Sequence, residues 1–351
     1  MPSYAPCPPS GRKIRHVRSG AASFNRRRLS FIPNFPVDPP MRIIEPSFTI
    51  LDELDQQSLP IRIEFCGRIC YKSENRIDSD SAIPFVRKMA ENGHNSVLEM
   101  GVLTLVVTCA TPDPIQALFS LQPKFLQIDR LEGNRLLITG SIRTFREMLL
   151  SHPEDTLARA IALYLKGQHP YFFETLPIND EPKRIGGVTI AKMALKDVEQ
   201  LAAPLHAKHR YLAVKFIVNR AVTHELVRHR PCTFLQESQR YCRYSADKFG
   251  NEVTFIKPVF FEENSEEFTI WRQSMEAMEA QYFRLLQTSS PQAARTVLPN
   301  SCKTEIIVYA NLLEWQHILS LRTSPAAEPS MREVMIPLAH TLQNRYPALF
   351  R

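Results

Sequence analysis

Pro231 fixes where a helix has to stop. The residue before a proline is pushed out of the helical region. A helix capped by Asn219 therefore runs from Arg220 to Arg230 and ends there. Its last turn carries Arg228-His229-Arg230, and the residues beyond it read as an ordered loop. Together the helix end and loop hold Arg228, His229, Arg230, Arg240 and Arg243, with Gln236, Glu237, Ser238, Gln239 and Tyr241 among them and Glu225 just ahead. A solvated basic face would be Lys-rich and would not need Gln, Ser and Tyr at its centre. Forked guanidinium groups, amides and a hydroxyl suit a phosphorylated, planar ligand. Loops on a rigid scaffold are where such groups collect.

The rest of the chain supplies that scaffold. Met41 to Glu45 is strand-like, and from Leu51 the pattern turns helical, with Ile61, Phe65, Arg68 and Ile69 spaced along it and Cys66 and Cys70 alongside. A second helix is expected over Ala82 to Asn92, stopped by Gly93. Val102 to Thr108 alternates and is β-branched, which predicts a strand. A hairpin follows, Phe125 to Ile128 with Arg135 to Thr139, turning at Glu132-Gly133-Asn134. Helices are expected at Thr144 to Leu150 and Thr156 to Leu165, and residues 168–204 are Pro-rich and mixed. Arg210 to Val218 is a further strand. Ser265 to Gln287 reads as a core helix with Trp271, Met275, Met278, Tyr282 and Leu285 inward, a packing stripe rather than a cofactor box. Ser290-Pro291 opens a helix that leads through Arg295, and another helix is expected from Thr304 to Arg322. A closing helix from about Ala326 buries Met331, Val334, Met335, Leu338 and Leu342.

Composition excludes several classes. A chain of 351 residues, 44% hydrophobic and 23% charged, has a soluble globular make-up. It holds no apolar run of the ~18 residues that a membrane span needs. The formal charge of +7 is concentrated in residues 1–40, where Arg12, Lys13, Arg15, Arg18, Arg26, Arg27 and Arg28 face Asp38 alone. That Pro- and Arg-rich tail reads as disordered, and the nearly neutral body is not expected to bind nucleic acid or membrane. Seven cysteines without regular pairing fit a reduced, cytoplasmic setting. No metal is expected: Cys66 and Cys70 have no second pair near them. His224 and His229 are five apart, about 140° around a helix, where a zinc-protease pair needs four.

The stretch Arg228-His229-Arg230, seven residues, then Ser238-Gln239-Arg240-Tyr241 resembles the signature of the flavin-dependent thymidylate synthases. Two further blocks agree in order and spacing. Gly93-His94-Asn95-Ser96-Val97-Leu98-Glu99-Met100 is similar to the family's flavin-contacting Gly-His-Glu-Ser/Thr-x-x-Glu-His element, with Asn95 and Met100 departing from it. Ala294-Arg295 to Leu298-Pro299, then Asn311, His317 and Arg322, are similar to the family's C-terminal nucleotide and flavin positions. The likeness covers about 41–108 and 209–346, leaving an insertion at about 110–208 between the first strand and the Arg-His-Arg helix.

The resemblance implies an α+β fold, mixed helices around a central antiparallel sheet, as one domain over 41–351 assembled as a homotetramer with shared active sites. It implies reductive methylation of dUMP to dTMP, with methylenetetrahydrofolate as carbon donor and FAD, reduced by NADPH, as cofactor. By the same resemblance Arg322 activates the uracil ring, and Ser96, Arg228, His229, Arg230, Gln236, Asn311 and His317 contact FAD. Glu225, Arg228, Gln236, Glu237, Ser238, Gln239, Arg240, Arg295 and Arg322 contact the nucleotide. Cys232 and Cys242 flank the signature but match no catalytic position, so no covalent protein nucleophile is expected. The rival reading is an RNA-binding module or a flavin- and folate-dependent RNA uracil methyltransferase, whose phosphates the arginines would touch. Against it, no aromatic stacking stripe lies beside the arginines.

Overall fold

The computed structural model describes residues 41–178, 185, 187–246 and 249–350. The tail expected at residues 1–40 lies outside them. In chain order come β1 (Arg42–Ile44), β2 (Ser47–Ile50), α1 (Asp52–Asp55), α2 (Leu59–Ile69), α3 (Ala82–Glu91) and α4 (Asn95–Leu98). Then follow β3 (Val102–Cys109), α5 (Asp113–Ser120), β4 (Gln127–Leu131), β5 (Arg135–Ser141), α6 (Ile142–Ser151), α7 (Thr156–Gln168), β6 (Val188–Lys192), α8 (Leu195–Val198) and α9 (Ala203–His209). The signature region brings β7 (Tyr211–Asn219), α10 (Arg220–Leu226), β8 (Thr233–Gln236) and β9 (Thr254–Ile256). Last are α11 (Glu266–Leu286), α12 (Pro291–Ala294), β10 (Lys303–Asn311), α13 (Leu312–Arg322) and α14 (Pro329–Arg345).

Helices and strands are mixed, but two four-stranded antiparallel sheets share the centre where the sequence suggested one. The first has the order β2-β7-β10-β8, and the second β4-β5-β3-β6. A short parallel pair joins β1 to β9. The second sheet is built largely from residues 110–208. Its inner side shares one hydrophobic cluster with α2 and α3, and with Leu235, Ile307 and Tyr309 of the first sheet. This segment is therefore part of the core rather than an elaboration laid over it. A second cluster fills the space between β7, β10, α13 and α14, with Trp315 and Phe216 fully buried.

Two strands end the same way as β10, and the sequence reading missed one consequence. In β5, β7 and β10 the last strand residue is also the N-cap of the helix that follows, with no loop between. Ser141 accepts from Thr144 N–H, Asn219 from Val222 and Asn311 from Glu314. The first helical N–H in each case donates to a carbonyl just before the neighbouring strand: Ile142 to Gly101, Arg220 to Asn300, Leu312 to Arg210, all at 2.9 Å. The helix expected from Thr304 is accordingly a strand up to Asn311. Its run Thr304-Glu305-Ile306-Ile307-Val308-Tyr309 is β-branched and aromatic, and both faces are covered, which hides the alternation.

Smaller corrections follow the same logic. The α10 helix stops at Leu226, four residues before Arg230, and the loop after Pro231 contains β8 paired with β10. In α2 the buried face is Leu59, Ile63, Cys66 and Ile69, while Ile61 points outward. In α11 the buried stripe is Phe268, Trp271, Met275, Tyr282 and Leu286.

Candidate active site

Arg322, the last residue of α13, closes a cluster with residues far away in sequence. Its Nε donates to His229 Nε2 at 2.9 Å, its Nη1 to Glu225 Oε2 at 2.5 Å and its Nη2 to the Glu225 carbonyl at 3.1 Å. One N–H on each Nη stays available. His317 packs edge-on to His229, ring centroids 5.9 Å apart. Burial, then the charge of Arg322, then His317, hold His229 down to about 4, so its ring is neutral near pH 7. With Nε2 accepting from Arg322, the imidazole proton sits on Nδ1.

Glu314, His229 and His317 bring ligand-type atoms within 4.8 Å of one another. They do not suit a cation. His229 has both ring nitrogens committed, one to the Arg322 N–H and one to its own proton, and a guanidinium already occupies the site. Burial pushes the Glu314 carboxyl above the usual carboxylate range, and its Oε1 is buried without a hydrogen-bond partner.

A second group is organised around β8 and the loop after it. Glu237 is buried, accepting from Tyr244 Oη at 3.0 Å and Lys303 Nζ at 2.9 Å. Lys303 also reaches Glu305 at 2.7 Å, and Lys72 reaches Glu305 at 2.5 Å. Burial raises Glu305, but the charges of Lys303 and Lys72 outweigh it and hold the carboxyl at about 2. These residues line a cavity of about 600 Å³. Ser238 Oγ accepts from Arg240 N–H, and Arg240 Nε donates to Gln292 Oε1 at 3.3 Å, which draws the loop to the segment before Arg295. Gln239 is buried with its Nε2 unpartnered. A buried amide donor left open is costly, and a ligand carbonyl or phosphate oxygen would satisfy it.

The remaining expected residues divide by exposure. Arg228, Arg230, Ser96 and His317 are exposed, and Arg230 lines a cavity of about 420 Å³ with Glu99, Val102, Tyr211 and Phe234. Gln236 ties Thr223 to Thr304 at 3.0 and 3.2 Å, and Asn311 caps α13 while donating to the Lys208 carbonyl at 3.1 Å. Both are engaged in holding the fold. Met100 is fully buried among apolar side chains, so at this position packing replaces a polar edge. No hydrogen bond among the described residues joins Arg322, Glu225 or His229 to Ser238, Gln239 or Arg240. Sequence reasoning missed Lys72, Lys303, Glu305 and Tyr244. Lys303 and Glu305 lie two apart on one face of a strand, and reading that stretch as helix concealed the pairing.

Burial disfavours the thiolate at the cysteines near the site. Burial pushes the Cys232 thiol well above its usual range and Cys70 up to about 11, and Cys242 is buried.

The α+β chain thus brings Arg322 to Glu225 and His229 from segments nearly a hundred residues apart, and gathers Glu237, Tyr244, Lys303, Glu305 and Lys72 in a second polar group. Residues 201–348 match the family model described as thymidylate synthase complementing protein. The curated relatives that match are flavin-dependent thymidylate synthases, and this chain is similar to them over that C-terminal part. The flavin-dependent thymidylate synthase of Pyrococcus furiosus is 34% identical over 128 residues, 36% of this chain and 52% of its own length. That of Geobacter sulfurreducens is 31% identical over 135 residues, 38% of this chain and 56% of its own. That of Mycobacteroides abscessus is 29% identical over 149 residues, 38% of this chain and 57% of its own. The chain thus spans about half the length of the curated relatives it matches. A crystal structure of thymidylate synthase X from Helicobacter pylori with FAD and dUMP is 21% identical, covering 44% of this chain and 82% of that one at a TM-score of 0.33. Among the described residues no helix is long and apolar enough to cross a membrane.

Proposed function

We propose that the chain is an FAD-dependent thymidylate synthase that converts dUMP to dTMP, taking its carbon from methylenetetrahydrofolate and its reducing power from NADPH. The observation that carries this reading is the contact of Arg322 with Glu225 and His229 across 97 and 93 residues. It unites two of the motif blocks at the residue expected to act on the ring.

Uracil must become nucleophilic at C5. Arg322 is tethered by Glu225 and His229, and the N–H left on each Nη offers two donors to a ring carbonyl oxygen and the adjoining nitrogen. A permanent cation there stabilises negative charge as it develops in the ring. With Cys232 and Cys70 held as thiols and Cys242 buried, this route needs no thiolate addition. The phosphate falls to Ser238, Arg240 and Arg295, with the open amide of Gln239 as a further donor. Glu225 fixes Arg322, and Glu237 fixes the loop through Tyr244 and Lys303.

The residues present fit FAD. Arg228 and Arg230 offer exposed guanidinium groups, His317 an exposed imidazole, and the buried Asn95 Oδ1 lacks a partner. When bound, FAD supplies the hydride transfer of the reductive step. The homotetramer with shared sites is part of the proposal: among the described residues the Arg322 cluster and the Ser238–Arg240 group share no hydrogen bond, which suits sites completed by a neighbouring copy.

The test is a visible absorbance spectrum of the purified protein, before and after NADPH, followed by assay of dTMP from dUMP and methylenetetrahydrofolate. A yellow protein that bleaches with NADPH and forms dTMP is expected. A chain that takes up no FAD, or whose flavin responds to uridine-containing RNA and not to dUMP, would sink the reading.

A further inference from the structure

The cavity of about 420 Å³ that Arg230 lines has two walls of different origin. One is the signature region: Val227, Arg230, Pro231 and Phe234, with Glu99 and Tyr211. The other comes from the segment 110–208: Phe125, Gln127, Ser141, Arg143, Thr144 and Glu147. The resemblance assigns no role to that second wall.

Arg143 is its main charged feature. It sits in the first turn of α6, directly after the β5 joint. Its Nη1 donates to Glu99 Oε1 and its Nε to Glu147 Oε1, each at 2.6 Å. Glu99 also accepts from Thr233 Oγ1 at 3.0 Å, so Arg143 is linked through Glu99 to β8 of the signature region. The Arg143 side chain is 36% exposed. Its Nη2 makes no hydrogen bond among the described residues and is the donor left for a ligand.

Phe125 is the second observation. It lines the cavity while 65% exposed, and its backbone is left-handed, φ 61°. A bulky residue pays a steric penalty in that region, and an exposed phenyl gains little from the fold. Both are accounted for if the ring covers a flat ligand. Tyr211 and Phe234 line the same cavity.

We propose that residues 110–208 complete a binding site for a planar nitrogen heteroaromatic ring bearing an anionic arm, with Phe125 over the ring and Arg143 and Arg230 on the anion. The inference rests on the proposed function, and two ligands of that reaction share this chemistry. Either the flavin dinucleotide or the folate, with its carboxylates, can be the occupant. Glu99 and Glu147 hold the Arg143 fork in place, and an anion arriving at Nη2 meets a pre-oriented cation.

The experiment uses the full chain with three variants, Phe125→Ala, Arg143→Ala and Arg143→Lys. FAD affinity is read by flavin fluorescence titration, dUMP affinity by perturbation of the flavin spectrum, and folate by KM and kcat for methylenetetrahydrofolate. We expect Phe125→Ala and Arg143→Ala to weaken one of FAD or folate about tenfold, while dUMP affinity stays within about twofold. Arg143→Lys recovers part of the loss, because it keeps the charge without the fork. A raised Kd for FAD identifies the flavin as occupant. A raised KM for folate at unchanged kcat identifies the folate. Phe125 is exposed, so its variant folds whether or not Arg143→Ala does, and it decides the matter alone if needed. Wild-type binding of all three ligands with Phe125→Ala unchanged overturns this inference and leaves the proposed function standing. A wild type that binds none of them overturns both.

Discussion

Arg322 Nε and His229 Nε2 are 2.9 Å apart, and this one bond settles which nitrogen of the imidazole holds the proton. Burial and the Arg322 charge then keep the ring neutral to about pH 4. Replacing Arg322 with Gln removes the second of these causes but not the first. The His229 pKa is expected to rise toward, without reaching, the ordinary 6.5, and imidazole NMR across a pH titration reads it. In the wild type the folded pKa lies below the unfolded one. The stability from the neutral ring is therefore complete above about pH 6.5 and is lost as pH falls toward 4. Stability that does not change across that window would contradict the assignment.

Arg322 itself is expected to matter for rate more than for binding. Arg322→Ala should lower the single-turnover rate of dTMP formation about 10²- to 10³-fold, the scale of losing a preorganised donor to a developing anion. Arg322→Lys should rescue little, since an ammonium cannot present two parallel donors. Near-normal turnover in the Lys variant would show that charge alone suffices.

Glu305 gives a second pH signature with a different window. Its folded carboxyl titrates at about 2 against 4.5 for an ordinary glutamate. Its contribution is present above pH 4.5 and disappears as pH falls toward 2, on the order of 3 kcal/mol in all. Urea unfolding between pH 5 and 3 should show this loss in the wild type. In Glu305→Gln the slope in that range should flatten, and stability at pH 7 should fall because Lys303 and Lys72 lose a shared partner.

Asn311 separates a structural role from a cofactor role. Its side chain caps α13 and also bonds the Lys208 carbonyl. Asn311→Ala should cost about 1–2 kcal/mol in denaturant unfolding of the flavin-free protein. Asn311→Asp keeps the capping acceptor and should cost less. Unchanged stability with weakened FAD binding would return Asn311 to the cofactor alone.

Much of this was legible in the residues. The period of α11 and α14, the glycine stop after α3 and the alternation of β3 are local signals, and each marked its element. What failed was nonlocal. The β10 strand is covered on both faces, so its apolar run has no period to separate it from a helix. The pairing of Lys303 with Glu237 needs β8 beside β10, which no spacing announces. Arg143 lay in a segment without motif resemblance, and its meeting with Glu99 depends on how β3 and β5 register. Arg322 meets Glu225 and His229 because α13 and α10 both start on the last residue of paired strands, β10 and β7.

The three joints at Ser141, Asn219 and Asn311 have a mechanical consequence. A helix that begins on the last residue of a strand, with its first amide bonded across to the next strand, has no hinge. The helices after these joints carry Arg143, Glu225 and Arg322, so each of those side chains is mounted on a strut welded to a sheet. Backbone there cannot swing to admit a ligand. Adjustment is left to side-chain rotation and to the loop that follows Pro231, so the backbone positions of the three residues are set by the sheets before a ligand arrives.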